Sequence, residues 1–432
     1  MSGALLDCED VAWFRDELTG ARGAAAALAR RIGLSAHRAA EVALAVSEAA
    51  TNLTKHAVDG SLLLRVLRTD QYAAVEFLAV DAGPGMADLS AAMRDGASGA
   101  GTLGIGLGAI ARLADTFDIY TLSGQGTVVT GRFWPRDDPE FRAGAIGRHL
   151  LTDEPAVAGM TRPISGERVC GDAWAARRDD GERQAPPEPS GPGALPGVGR
   201  SHWSLLTGTR PAAQAASPGV GGAGVLVMLC DGLGHGPMAA LAGQAAVQAF
   251  RTGRGQLPEE VIGEVHRALK GTRGAAVAVA RIEPEQARVL FCGVGNIAAA
   301  LIDTATKTSL PSVPGIVGHQ MRGLRTFTYP LPTSGALVMH SDGLSERWTP
   351  DALPGFLSHT PAAIAGQLLR HTGAHRDDAS ILVAKAPGDT TSRNGRQGHP
   401  EGGGHHAAPT EIVRVRPRGP AVHRRDREHH HQ

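Results

Sequence analysis

The chain has 432 residues, 42% of them hydrophobic, with 43 acidic and 43 basic side chains and a formal net charge of zero. That length leaves room for two or three domains with real cores, and the balanced charge removes any global field that would favour nucleic acid or an anionic membrane. No apolar run reaches the ~18 residues of a membrane span, the N-terminus has no basic stretch ahead of an apolar one, and Cys8, Cys170, Cys230 and Cys292 form no C-x-x-C pair. The expectation is a cytoplasmic protein with reduced, mostly buried cysteines.

Residues 1–137 read as one α+β unit. Ala-rich residues 21–31 predict a helix. Ser35 caps a longer one over 36–56, with apolar positions at Val42, Ala43, Val46, Ala50 and Leu53. Strands follow at 62–68 and 72–80. A glycine-rich loop then runs from Asp81 to Gly108, with a helical turn near 89–94, and a helix continues over 109–114. Strands at 116–122 and 127–133 bracket Ser-Gly-Gln-Gly, a hairpin signal.

Residues 138–155 are charged and read as a linker. The second unit spans 156–387. Its strands are expected at 224–230, 274–282, 287–292, 297–302, 336–340 and 380–385, and its helices at 237–252, 258–269 and 361–371. Pro237 suits a first helical turn. Between 178 and 222 the composition shifts to Pro, Gly, Ser and Ala, which reads as a flexible insertion. Residues 388–432 are rich in Gly, Arg and His and read as a disordered tail.

Glu48 and Asn52 stand one helical turn apart and share a face, set opposite the Val42, Val46 and Leu53 stripe. A carboxylate there can activate an attacking hydroxyl, and an amide oxygen one turn on can ligate Mg²⁺. Taken alone, the pair reads more simply as a solvated polar face. Asp81 changes that: it closes an apolar strand and precedes Ala-Gly83-Pro-Gly85. Such an Asp can accept a hydrogen bond from an adenine amino group, and the glycines admit a flat base. Gly99, Gly101, Gly104, Gly106 and Gly108 then crowd one loop before a helix, where backbone N–H groups can cradle phosphates. Gly104, Gly106 and Ala109 also satisfy G-x-G-x-x-A, but no strand leads into them and no βαβ unit surrounds them, so a dinucleotide site is rejected.

A second set of acids sits at strand ends. Two apolar runs stop at Asp-Gly, one at Asp231 and the other at Asp342, and two further acids fit them: Asp172 in Gly-Asp-Ala-Trp and Asp377 in Arg-Asp-Asp-Ala-Ser. Four carboxylates so placed suit a two-metal hydrolase, with Asp231 bridging and the Gly232 carbonyl adding an oxygen. Asp342 and Asp377 complete the shells, and Asp172 serves the second ion. All-oxygen ligands select Mn²⁺ or Mg²⁺ over zinc. Asp378 points the other way in an extended chain. His235 is a weaker catalytic candidate, and Arg162 and Arg168 are phosphate candidates by proximity alone.

The first set, in its order, resembles the GHKL ATP-binding fold of gyrase and histidine kinases. The carrying strings are residues 47–57 (SEAATNLTKHA), 81–85 (DAGPG) and 101–108 (GTLGIGLG), followed by 112–120 and Gly126-Thr-Val-Val-Thr. Within that fold they look most like the small serine kinases that switch bacterial anti-sigma and stressosome proteins, over roughly residues 10–135. The resemblance implies ATP with Mg²⁺ as the bound nucleotide, Glu48 as general base, Asn52 as Mg²⁺ ligand, Asp81 as adenine reader, and Gly83, Gly85, Gly104, Gly106 and Gly108 as nucleotide-binding loop. Lys55 and Arg94 are candidates to assist the phosphates.

The second set, with Gly293-Val-Gly-Asn296, resembles the SpoIIE-like branch of the metal-dependent, PPM-type serine/threonine phosphatases over about residues 160–386. The expected architecture is therefore a GHKL α/β sandwich followed by a PPM-type αββα β-sandwich flanked by helices. The resemblance implies a partner-switching regulator that phosphorylates and dephosphorylates STAS-domain anti-sigma antagonists, acting on a sigma factor or a stressosome-like assembly. Related kinases often dimerise, so a homodimer belongs to this expectation. Two other functions fit the sequence: a phosphatase governed by an N-terminal module that only senses ATP or docks a partner, and a nonenzymatic scaffold.

Overall fold

The computed structural model describes residues 5–15, 17–94, 106–152, 155–179, 222–321, 323–373 and 377–385. The expected tail and nearly all of the expected insertion lie outside the described residues. The first unit comprises β1 (Asp7–Phe14), α1 (Ala21–Arg31), α2 (Ala36–His56), β2 (Ser61–Arg68), β3 (Ala73–Asp81), α3 (Leu89–Ala92), α4 (Gly106–Leu113), β4 (Thr116–Thr121) and β5 (Thr127–Phe133). The strands form one antiparallel sheet in the order β1-β2-β3-β5-β4. Ser35 Oγ accepts the Arg38 N–H at 3.0 Å and closes the N-terminus of α2 as the sequence implies. Arg38 is fully buried and donates to the Leu113 and Trp134 carbonyls, each at 2.8 Å, while pairing with Asp115. This side chain fastens the long helix to the ends of α4 and β5.

The linker stretch is folded rather than plain. It holds α5 (Pro139–Ala143) and α6 (Ala145–Thr152). Phe141 is completely buried, stacked on Trp134 at 6.1 Å between ring centroids and edge-on to Tyr72 at 4.9 Å. Leu150 joins the same cluster. Two well-spaced apolar side chains among the charges are enough to dock the segment.

The second unit comprises β6 (Val157–Arg162), β7 (Asp172–Asp179), β8 (Gly224–Gly232), α7 (Pro237–Thr252), α8 (Pro258–Ala268), β9 (Ala275–Glu283), β10 (Arg288–Val294), β11 (Ala298–Ile302), β12 (Lys307–Leu310), β13 (Phe327–Pro330), β14 (Ala336–His340), α9 (Pro361–Thr372) and β15 (Ala379–Lys385). Two antiparallel sheets, β13-β10-β9-β8-β7 and β12-β11-β14-β15-β6, pack face to face over a common apolar core. α7 and α8 cover the outer face of the first of these.

α9 covers the outer face of the second, and its far side meets the sheet of the first unit. Leu63, Leu78, Val80, Tyr120 and Val128 of that sheet share one core with Ile364 and Leu368 of α9 and with Met160, Val338 and Ile381 beneath. An antiparallel sheet with one wet face alternates apolar and polar residues. β2, β3 and β5 instead are buried nearly end to end, because α9 seals the face that α1, α2 and α4 leave open. α9 likewise lacks a polar side: even Gln367 and Thr372 are buried. A helix apolar all round belongs between two packed layers. Gly366 permits the close approach, since a Cβ there would stand 3.1 Å from Val128 Cγ1.

Polar contacts fix the same junction. Asp118 of β4 accepts from His359 Nδ1 and from the Thr360 N–H, both at 2.7 Å, and Thr360 Oγ1 caps α9 through the Ala363 N–H. Burial alone would raise the Asp118 pKa; the His359 and Thr360 contacts hold it below the usual range. Arg65 of β2 donates to the Gly159 carbonyl of β6 at 2.8 Å and pairs with Glu76, which also holds Arg132. No helix among the described residues is long and apolar enough to cross a membrane.

The shared core predicts cooperative unfolding. Leu368→Ala removes buried volume from it and should cost about 2–5 kcal/mol. In urea titrations, tryptophan fluorescence and nucleotide binding should report one coincident transition that shifts in the variant. Two separated transitions would show that the units fold apart.

Candidate functional site

The first site is a cavity of about 330 Å³ between α2, α4 and the ends of β3 and β5. Glu48 and Asn52 line it one turn apart, and the Gly106 N–H at the start of α4 donates to Glu48 Oε1 at 3.2 Å. Leu53 lines it too, so the apolar stripe does not lie opposite the polar pair; α2 is buried on most of its circumference. Arg94 faces the cavity and Lys55 does not.

Asp81 borders the cavity at the end of β3, and the Gly83 N–H donates to its Oδ1 at 2.7 Å. Burial lifts the Asp81 pKa, against the pull of the Gly83 amide and the Arg370 guanidinium. Gly85 has φ near +66°, and a Cβ there would sit 2.0 Å from the Leu122 carbonyl oxygen, so only glycine fits. Gly83 does not line the cavity; it fixes Asp81. Gly108 is buried inside α4 and does not line it either, which corrects the expectation of a glycine loop reaching that far. Gly104 lies outside the described residues. Two relevant residues escaped the sequence reading: Thr127, paired in register with Asp81 and lining the cavity, and Arg370 of α9.

The second site is the mouth of the β-sandwich. β7 begins with Asp172 and β8 ends at Asp231 and Gly232; Asp172 and Asp231 are direct cross-strand partners. On the other sheet, β14 ends one residue before Ser341-Asp342, and β15 starts two residues after Asp377. All four acids therefore come to the same end of the two sheets. The charges of Asp172, Asp342 and Asp377 each act on Asp231.

Burial and these like charges raise the Asp231 pKa well above the carboxylate range, and Asp231 hydrogen-bonds to Asp172. Burial also raises Asp172, opposed by the Ser341 and Ser380 hydroxyls. Asp172 Oδ2 is buried without a hydrogen-bond partner. An orphaned carboxylate oxygen among three further acids fits a divalent cation. Among the described residues no three His, Cys, Asp or Glu side chains are grouped closely enough to hold a metal ion.

The remaining candidates sort by contact. Asp378 accepts from the Ile164 and Gly171 N–H groups at 2.7 and 2.6 Å, so it anchors the chain before Asp172. Asn296 Nδ2 donates to Asp342 Oδ2 at 2.9 Å. A Cβ on Gly232 would meet the Ala239 and Gly171 carbonyl oxygens at 2.6 and 2.8 Å, which explains the glycine after Asp231. His235 is exposed and turned toward Glu167, 3.4 Å away, which argues against the catalytic role weighed for it.

Comparison with known proteins agrees with this division. Residues 15–133 match the family model of the histidine kinase-like ATPase domain, and residues 221–387 that of stage II sporulation protein E (SpoIIE). The chain thus carries a histidine kinase-like (GHKL-like) ATPase domain followed by a SpoIIE/PPM phosphatase domain. The serine/threonine-protein kinase RsbT of Bacillus subtilis (strain 168) is 30% identical over 120 residues, covering 28% of this chain and 90% of RsbT. The phosphoserine phosphatase RsbX of the same organism is 23% identical over 167 residues, covering 37% of this chain and 80% of RsbX. A crystal structure of RsbX in complex with magnesium is 18% identical, with a TM-score of 0.40, and covers 54% of this chain and 94% of that one.

The raised Asp231 pKa sets a pH signature. A carboxyl raised in the fold contributes stability fully below its unfolded value, about pH 4, and loses it as pH rises through the folded value. Metal-stripped protein should therefore lose thermal stability from pH 4 upward through neutrality. Asp231→Asn should flatten that dependence. An unchanged slope in the variant would show that the cluster is not the cause.

Proposed function

We propose that the protein is a partner-switching regulator that hydrolyses phosphoserine or phosphothreonine on STAS-type anti-sigma antagonists and carries a serine-kinase domain acting on the same class. The observation that carries this reading is that one folded body holds both residue sets: Glu48, Asn52 and Asp81 on a single cavity, and four aspartates at a single mouth. The resemblance to RsbT and RsbX supports the pairing of the two chemistries on a stressosome or sigma-factor circuit. Phosphorylation of such a partner adds about −1.5 to −2 charges at its docking face.

In the phosphatase unit, Asp172, Asp231, Asp342, Asp377 and the Gly232 carbonyl would hold two Mn²⁺ or Mg²⁺ ions. When bound, such ions supply a water of lowered pKa and neutralise the phosphoester's charge. Asp231, on which the charges of the other three acids act, would be the ligand shared by the two ions. Asn296 orients Asp342, and Asp378 orients the strand start at Asp172. In the nucleotide unit, Asp81 would accept from the adenine amino group and Asn52 would hold the Mg²⁺ that accompanies ATP. Glu48 would take the proton from the attacking serine hydroxyl, and the amides at the start of α4 would serve the phosphates.

A second reading has its own observation. Arg370 of α9 acts on Asp81 across the joint between the units. That charge interaction favours an N-terminal unit that reports ATP occupancy to the phosphatase without transferring phosphate. Glu48→Ala separates the two. With radiolabelled ATP and a STAS protein, the variant should bind ATP normally and lose about 10²–10⁴-fold in phosphate transfer. Wild-type protein that binds ATP and transfers nothing would leave the sensing role. In parallel, Asp342→Asn should abolish Mn²⁺-dependent release of phosphate from the phosphorylated STAS protein; full activity would exclude the proposed ligand set.

A further inference from the structure

One layer of sheet separates the α2–α4 cavity from α9. At the ends of β3 and β5 the cross-strand pairs run Ala79–Val129, Val80–Val128 and Asp81–Thr127. Successive side chains of a strand point to opposite faces. Ala79 and Val129 line the cavity, while Val80 and Val128 lie in the core that α9 shares. Gly366 of α9 rests on that second pair: a Cβ there would stand 3.1 Å from Val128 Cγ1 and 3.7 Å from Val80 Cγ2. One turn on, Arg370 Nε donates to Gln367 Oε1 at 3.2 Å, and the guanidinium acts by its charge on Asp81. Its Nη2 is buried and has no hydrogen-bond partner among the described residues.

The C-terminal end of α9 is tied to the aspartate mouth. The Ser345 N–H donates to the Thr372 carbonyl at 2.9 Å, and Leu344 forms a β-bridge with Gly373, so the segment that follows Asp342 is bound to the helix end. The Ser341 N–H donates to the Ser380 carbonyl at 3.1 Å. A Cβ on Gly343 would sit 2.0 Å from the Asp378 carbonyl oxygen. The Asp342 turn, the start of β15 and the end of α9 are thus packed against one another. Taking up a cation would draw Asp342 and Asp377 toward Asp231, on which their charges already act.

We propose that α9 couples the two sites, so that nucleotide in the first cavity and divalent metal at the mouth each tighten the binding of the other. The proposal rests on the nucleotide and metal readings above, and it holds whether or not the first unit transfers phosphate. Nucleotide would steady the ends of β3 and β5 on which α9 lies, and metal would steady the turn bound to its C-terminal end. Each ligand orders the helix that the other leans on, so the second to bind loses less conformational entropy. Linkage makes the two effects equal in size.

The test uses the full chain, Mn²⁺, and the exchange-inert Co(III) complex of ATP, which carries its own metal and leaves Mn²⁺ to the mouth. Mn²⁺ affinity is read from the electron paramagnetic resonance signal of the free ion, and nucleotide affinity by calorimetry. Saturating nucleotide should tighten Mn²⁺ binding by about fivefold or more, and saturating Mn²⁺ should tighten nucleotide binding by the same factor. Arg370→Gln should bring both factors close to one while each ligand still binds alone. Arg370→Lys, which keeps the charge, should preserve them. Unchanged or weakened affinities in the wild type overturn the proposal. Full coupling in Arg370→Gln overturns the assignment to α9. Wild-type protein that binds no nucleotide, or no Mn²⁺, removes the reading of that site itself, and the coupling with it.

Discussion

Carboxylate crowding at one end of the β-sandwich is the constraint on which the second unit is built. Asp172 and Asp231 face each other across neighbouring strands, with Asp342 and Asp377 within reach of their charge. Fully ionised carboxylates at such spacing repel, and burial adds to the penalty. The local fold opposes this only in part. The Ser341 hydroxyl opposes the rise of the Asp172 pKa, and burial with the neighbouring acids pushes the Asp231 pKa up. A fold gains nothing in stability from such an arrangement by itself, whereas a divalent cation would turn repulsion into ligation. The surrounding details follow: glycine at 232 so that α7 can close against the strand end, and Asp378 spent on two backbone amides to hold the chain leading to Asp172.

The second organising feature is α9. It lies between two sheets that belong to different units, and it leads within five residues from Thr372 to Asp377 at the mouth. Its Arg370 also acts by its charge on Asp81 at the α2–α4 cavity. One helix therefore touches the surroundings of both sites. The apolar core that it shares with β3, β5, β6 and β15 leaves little room for the units to move independently. Packed cores shift between discrete arrangements more readily than they deform smoothly, so any influence of one site on the other has a short physical route.

Much of this was legible because strand ends are local. An apolar run halted by Asp-Gly marks Asp231 and Asp342 without knowledge of the fold, and Asp81 before Gly-Pro-Gly marks the nucleotide cavity in the same way. β1 and β7 were missed because Asp7, Glu9 and Asp10, or Arg177 to Asp179, break the alternation of a half-buried strand; remote partners decide these elements. β12 and β13 are four residues each and exist through pairing alone. Linker residues 138–155 looked charged, yet Phe141 and Leu150 sufficed to dock them. Gly83 and Gly108 look like loop glycines in sequence, but one fixes Asp81 and the other packs inside α4. Thr127 became visible only through its register with Asp81. The largely apolar run from Pro361 to Leu369 in α9 did carry a signal of two-sided burial, though nothing in its sequence names the second sheet.

Anomalous X-ray diffraction from crystals grown with Mn²⁺ tests the central claim most directly. Two peaks about 3.5–4 Å apart are expected at the sandwich mouth, with Asp231 touching both and Asp172, Asp342 and Asp377 completing the shells. Manganese bound elsewhere, with the mouth bare at saturating metal, would contradict it.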